Sequence, residues 1–390
     1  MRRAAAGIMR RASAGIMRRA AALPRSLVLA AAVLGGCGGA LARPGAHARV
    51  AAHARVAANA RVAAHARVAA NARSTRRAAR AASSRRPPPR AHARPAARPD
   101  PLAFVTAETE NRLLVVDLRT GAVTRRISVP GGPQYVAAEP GLAVVASPKA
   151  GVATLFEGAA LRPARIFSGF GAPHITAISP DGQHAFVVDD ARGTVTVLGL
   201  ADARRTSTVY VGAGAHHMTV SPDQRRIWVA LGEAARTIVI ADTADITRPR
   251  VLARFNPGFP AHDLAFAPDG RRVWVTSAGG PDVVVFGAGD HRLLFRVPVG
   301  APPQHIAFAR GYAYLTSGYG STIEQVAAAT GKVIKRAAVP YGSFELDAAD
   351  GYVVTTSLLN GQLAIFTPQL RRLRVLTLAP AARDVAIAYP

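Results

Sequence analysis

From residue 102 onward the sequence predicts an all-β, seven-bladed β-propeller, with a C-terminal strand closing the N-terminal blade. Three observations predict it. A four-residue apolar core recurs seven times, at successive steps of 40, 42, 42, 46, 40 and 40 residues. Each core is embedded in a unit with room for four short strands, with turn signals every 8 to 12 residues. The strand that the first unit lacks stands at the end of the chain. A β-rich repeat of this length and number is the signature of a propeller blade.

The recurring core reads Phe104-Val105-Thr106-Ala107, Val144-Val145-Ala146-Ser147, Phe186-Val187-Val188-Asp189 and Trp228-Val229-Ala230-Leu231. It continues as Trp274-Val275-Thr276-Ser277, Tyr314-Leu315-Thr316-Ser317 and Val354-Thr355-Thr356-Ser357. β-Branched and aromatic residues dominate, as in a buried strand. The column holding Phe104, Phe186, Trp228, Trp274 and Tyr314 is predicted to fill the core between blades. A polar turn and a second apolar strand follow each core, as in Leu113-Leu114-Val115-Val116 and Val283-Val284-Val285-Phe286. A third strand follows turns such as Asp117-Leu118-Arg119-Thr120-Gly121. The unit ends in a short apolar strand running into Ser179-Pro180-Asp181-Gly182, Ser221-Pro222-Asp223 or Ala267-Pro268-Asp269-Gly270. Proline fixes φ and lacks a donor, and glycine adopts positive φ, so these positions end strands. No segment sustains a 3.6-residue apolar period, which argues against βαβ folds.

The first unit begins directly at its core, and Asp384-Val385-Ala386-Ile387-Ala388-Tyr389 supplies the missing strand. Pairing it with residues 102–107 would close a ring and remove exposed strand edges. An open solenoid would need atypical capping repeats, and neither end supplies one.

The strand core and the Ser-Pro-Asp-Gly turn resemble the YVTN β-propeller repeat family of YncE-like proteins. The likeness spans residues 102–390 and is strongest at Trp274-Val275-Thr276-Ser277 and the 117–121 turn. Units two, six and seven depart from the pattern in the closing turn, and the Gly-His…Trp-Asp pattern of WD40 repeats is absent. The resemblance implies a seven-bladed propeller exported from the cytoplasm, and it implies little about chemistry.

The first hundred residues carry 21 arginines, no lysine and one acidic residue, Asp100, against 28 basic and 22 acidic residues in the rest. The net charge of +26 is therefore mostly a property of this segment. With no aromatic residue there, nucleic acid is not an expected partner. The apolar run 26–34 is too short to span a bilayer and follows Arg18, Arg19 and Arg25, as in a secretory signal. Leu34-Gly35-Gly36-Cys37 resembles a bacterial lipobox, which implies lipidation of Cys37, the single cysteine. The alternative is cleavage after Ala42 and a secreted or periplasmic soluble protein. The near-repeat of residues 2–9 at 10–17 suggests a true start at Met17. Residues 1–42 are thus read as the signal region, 43–100 as an Ala/Arg/Pro-rich disordered tether, and 101–390 as the propeller. The tether, with its six-residue Ala-His-Ala-Arg-Val-Ala repeat, would cross an anionic wall, lie on anionic lipid, or be filler without a partner. His47, His53 and His65, spread along it, are poor chelators. One cysteine excludes intramolecular disulfides and CxxC metal sites.

The segment entering each innermost strand aligns without gaps in all seven units. One column holds Gln134, His174, His216, His262, Gln304, Phe344 and Arg383; the next holds Tyr135, Ile175, His217, Asp263, His305, Glu345 and Asp384. Five of the seven histidines after residue 100 lie in these columns, outside which are only His184 and His291. Imidazoles with carboxylates suit one divalent transition metal. The expected ligands are His217, Asp263, His305 and Glu345, with His174, His216, His262 and Asp384 also at the channel mouth. Such a metal could activate water in a hydrolase or lactonase-like reaction, or the groups could work as general acid and base. Alternatively the side chains bond backbone of the neighbouring blade. No phosphate-binding glycine loop, HExxH or GxSxG occurs. Asp189-Asp190 reads as a turn or as a further carboxylate pair. The sequence therefore points to a monomeric binding or scaffolding module of the cell envelope, anchored to the membrane by lipid, with an envelope protein or a small ligand on a propeller face.

Overall fold

The computed structural model describes residues 101–388 apart from positions 159 and 350. The signal, lipidation and tether assignments lie outside the described residues. Seven four-stranded antiparallel sheets form seven blades. Apart from one 3-10 turn at Pro148–Ala150, the described residues hold no helix.

Six blades are continuous in sequence, and their innermost strands are Tyr135–Glu139, Pro173–Ile178, Ala215–Val220, Ala261–Phe266, Ile306–Ala309 and Ser343–Ala349. We number these blades 2 to 7. Blade 1 joins the C-terminal strand Ala382–Ala388 to Leu102–Ala107, Arg112–Asp117 and Val123–Ser128. Its register pairs Val105 with Val385 and Leu102 with Ala388. The predicted closure is therefore present, and neighbouring innermost strands meet around the whole ring.

The burial pattern follows from this architecture. Second and third strands lie between two neighbouring blades, so both faces are covered and they read as continuous apolar runs. Outermost strands alternate exposed and half-buried residues. Seven apolar clusters fill the seven gaps between blades. Trp228, Trp274 and Tyr314 are fully buried in them, as the aromatic column predicts. The seam between blades 7 and 1 has an ordinary core, with Val354, Leu363 and Ile365 against Val105, Val385 and Ile387.

The closing turns owe their form to side-chain bonds. Ser179 Oγ donates to Asp181 at 2.6 Å and accepts from the His184 amide at 2.9 Å. Ser221 and Asp223 repeat this arrangement with the amide of Arg226.

Asp347 reinforces the seam by accepting the Ile387 amide at 2.7 Å. Burial pushes its pKa up to about 6 from an ordinary 3.8, against the pull of its bonds to Ile387 and Ala348. The folded state thus favours the protonated form. The associated stability is fully present below pH 3.8 and is lost as pH rises to about 6. A displacement of this size corresponds to about 3 kcal/mol. Urea unfolding at pH 4 and pH 7 should therefore show a loss of this order in the wild type that Asp347→Asn removes; equal pH dependence in both proteins would refute it.

Candidate metal centre

The two polar columns come together at one end of the channel because five of the seven innermost strands are irregular beside these columns. In blade 4, Ala215 pairs with Leu231 and Met218 with Val229, so His216 and His217 together oppose Ala230. Blades 1, 3, 5 and 7 carry the same shift. A β-bulge of this kind interrupts the period-two alternation that would send adjacent side chains to opposite faces. Both columns therefore serve one site, at two levels. Tyr135, Ile175, Asp263, His305, Glu345 and Asp384 of the second column line a cavity of about 330 Å³ in the channel, and no first-column residue does.

Threonine hydroxyls tie some blades together at the bulge. Thr106 donates to the carbonyl of Gln134 at 2.9 Å, Thr276 to that of Gln304 at 2.9 Å, and Thr356 to that of Arg383 at 2.8 Å. Thr316 likewise reaches Phe344. In blades 2, 3 and 4 the same position holds Ala146, Val188 and Ala230, so this bond is missing ahead of His174, His216 and His262.

The histidines form a continuous stack. Ring centroids lie 3.8 Å apart for His174 and His216, 4.7 Å for His216 and His217, and 4.3 Å for His217 and His262. His305 is 5.1 Å from His217 and 5.4 Å from His262. Tyr135 continues the stack 4.2 Å from His174 and accepts a hydrogen bond from Arg383 at 3.1 Å. His217 is 1% exposed, at the centre.

Each imidazole has a distinct environment. His216 Nδ1 bonds Asp190 Oδ2 at 3.0 Å, and His262 Nδ1 bonds the Glu233 carbonyl at 2.9 Å. With Nδ1–H donating, both leave Nε2 as a free lone pair. His174 Nε2 and His217 Nδ1 are buried and have no hydrogen-bond partner among the described residues. Burial, helped by the positive field of His216 and Arg383, pulls the His174 pKa down to about 2. Burial and the neighbouring histidines hold His217 well below its ordinary value, and burial with His305 lowers His262. His305 is the opposite case. Burial opposes its charge, but Glu345 at 3.1 Å and Asp263 at 3.5 Å outweigh burial and raise its pKa well above the ordinary value.

The carboxylates are mainly engaged elsewhere. Asp263 accepts the Ile306 amide at 3.0 Å and Asp384 the Val136 amide at 2.8 Å, each in the next blade. Burial, then Glu345, pushes the Asp384 carboxyl well above the carboxylate range. Glu345 is held to His305, which lowers its pKa against the effect of burial. Removing Glu345 would leave a buried imidazolium without its nearer counter-charge, a change that typically costs about 3–5 kcal/mol. Glu345→Ala is expected to lower stability by that order at pH 7, with Glu345→Gln intermediate. Melting curves of the three proteins check this, and coincident curves would refute it.

Two groups of three histidines have ligand atoms within 4.8 Å of one another: His174, His216 and His217, and His217, His262 and His305. A tetrahedral zinc site places its nitrogens roughly 3.4 Å apart, so modest side-chain rotation closes either group on an ion. Of the sequence-derived ligand set, His217 and His305 share a group, whereas Asp263 and Glu345 flank His305 from the channel side. His174, His216 and His262 supply the remaining ligand atoms, and Asp384 stands apart in its bond to blade 2. Asp190 is the residue sequence reasoning placed in a turn: Asp189 does cap that turn, accepting the Arg192 amide at 3.2 Å, and also holds the amides of Gly171 and Ala172, while Asp190 orients His216.

A scan of protein-family models and a search of curated proteins give no match. Among solved structures, the chain is similar to a functionally unknown protein from Desulfotomaculum acetoxidans, at 17% identity and a TM-score of 0.66, covering 74% of this chain and 99% of that one. It is also similar to hydrazine synthase of Kuenenia stuttgartiensis, at 14% identity and a TM-score of 0.60, over 69% and 92% of the two chains. Apo AztD from Citrobacter koseri matches at 11% identity and a TM-score of 0.59, over 74% and 98%. At these identities the likeness carries the fold, and the fold these comparisons and the blade topology show is the seven-bladed β-propeller.

Proposed function

We propose that this protein is a YVTN-like, envelope-exported binding module whose propeller captures one divalent transition-metal ion at the channel mouth. The observation that carries the reading is the buried histidine stack with two unpartnered ring nitrogens, His174 Nε2 and His217 Nδ1. Uncompensated burial of a polar atom is costly, and a metal ion would complete both. The oriented tautomers of His216 and His262 support the same reading, because metal-binding histidines characteristically donate their second nitrogen to a carboxylate or carbonyl. Engagement of Asp263, Asp384 and Glu345 leaves no spare carboxylate to act as a general base, which favours binding over hydrolysis. The lone cysteine in Leu34-Gly35-Gly36-Cys37 supports lipid anchoring.

Metal content measured by mass spectrometry on the purified protein tests this. The expected result is about one transition-metal ion per chain, lost in His217→Ala/His305→Ala. No metal in either protein, with the variant merely less stable, would make the histidines structural. Asp190→Ala should weaken binding by about 10- to 100-fold, as loss of a ligand's orienting partner does; unchanged affinity would remove Asp190 from the site.

A further inference from the structure

The two three-histidine groups are not independent, because His217 belongs to both. They also face different surroundings. His174 and His216 belong, like His262, to the outer column, which stays off the channel cavity, and His216 is held by Asp190, whose side chain is 38% exposed. His305, with Asp263 and Glu345 beside it, lines the cavity of about 330 Å³, together with Asp347 and Asp384. Of the five histidines His305 alone lines that cavity, so the group that contains it is the inner one.

We propose that His217 is shared by two alternative seats for a single ion, an outer seat with His174 and His216 and an inner seat with His262 and His305 that opens on the channel cavity. The inference rests on the metal-binding reading above. The seats exclude each other when both draw on the same nitrogen of His217, and its buried Nδ1, which has no other partner among the described residues, is the atom on offer. The seats differ in chemistry. The outer one offers three imidazoles with a single carboxylate, Asp190, held to His216. The inner one has two carboxylates within contact distance of His305, so an ion that takes the place of the His305 proton has its charge offset there. Passage from one seat to the other exchanges two imidazoles while His217 stays bound, so the ion never lacks a ligand on the way. The inner seat is the one that communicates with the cavity, and the cavity's acidic lining suits a divalent cation.

Cobalt(II), whose visible absorption reports its ligands, is the probe. All proteins are the full chain with His47, His53, His65 and His92 changed to Asn, so that tail histidines do not bind. The parent protein should bind one cobalt per chain. His174→Gln/His216→Gln and His262→Gln/His305→Gln should each still bind one, with spectra that differ from each other and bracket that of the parent. His217→Gln should weaken binding by more than 100-fold. Thermal melting confirms that each variant is folded, and Asn versions replace any Gln variant that is not. Two cobalt ions per parent chain would overturn the proposal, since His217 would then bridge two occupied seats. So would one double variant losing all binding while the other keeps the parent spectrum, or unaltered binding by His217→Gln. In each of those cases metal binding itself stands. Absence of cobalt from the parent protein would instead remove the metal-binding reading, and the two seats with it.

Discussion

A chain lacking residues 384–390 is expected to lose its cooperative melting transition altogether. The truncated strand is a structural member of two cores at once. Val385 and Ile387 pack into the cluster shared with blade 7, and Ala386 and Ala388 into the cluster shared with blade 2. Re-exposing Val385 and Ile387 alone costs about 3–6 kcal/mol. Three bonds disappear with them: Val136 to Asp384, Ile387 to Asp347, and Asp384 to Thr106. Together these losses rival the roughly 5–15 kcal/mol that keeps a domain folded. The truncation also bares the edge of Leu102–Ala107, an apolar strand that invites aggregation. Thermal melting followed by circular dichroism is the check, and a truncated chain that melts with the wild-type midpoint would sink the closure argument.

Gly361→Ala is expected to be nearly as damaging, and for a reason in the same seam. Gly361 has φ +63° and accepts the Leu378 amide at 2.9 Å in the segment that leads to the closing strand. A Cβ there would sit 1.5 Å from the Ala379 carbonyl oxygen. Backbone cannot yield as a side chain does, so Leu378 and Ala379 must move and misplace the strand that follows. Positive φ adds about 1 kcal/mol for alanine, and the total should exceed about 4 kcal/mol. Gly158, at φ +75° with nothing within 4 Å of its Cβ position, is the control. Gly158→Ala should cost only the conformational part. Asn111 and Ser321 hold the corresponding place in blades 1 and 6 at φ +54° and +52°, so positive φ alone is tolerable there. Equal shifts in urea midpoint for the two alanine variants would refute the steric argument.

The fold was legible because a blade advertises itself repeatedly. The Phe104–Val354 column, the Ser-Pro-Asp turns and the displaced last strand each encode a local rule that the ring then satisfies seven times. The gapless alignment around the inner strands also brought to notice the five histidines that the structure gathers into one stack. What it could not supply was their direction. Strand alternation sends His216 and His217 to opposite faces, and only the bulge opposite Ala230, a product of closing the inner strands around a narrow axis, delivers both to one site. Asp190 was hidden for a related reason. An Asp-Asp pair after a strand looks like a turn, and half of it is one; the reach of the second carboxylate to His216 in the next blade depends on how neighbouring blades stack. The engagement of Asp263 and Asp384 by backbone amides is likewise a contact between blades, which no single repeat contains.

The uneven distribution of threonine hydroxyls gives this near-symmetric ring two kinds of joint beside its axis. Blades 1, 5, 6 and 7 are stitched to their successors beside the axis. The joints leading into His174, His216 and His262 lack this hydroxyl bond, since Ala146, Val188 and Ala230 have none to offer. On that arc the histidines themselves take over the stitching, His216 to Asp190 and His262 to the Glu233 carbonyl, so the side chains that would grip an ion are also the ones that join adjacent blades.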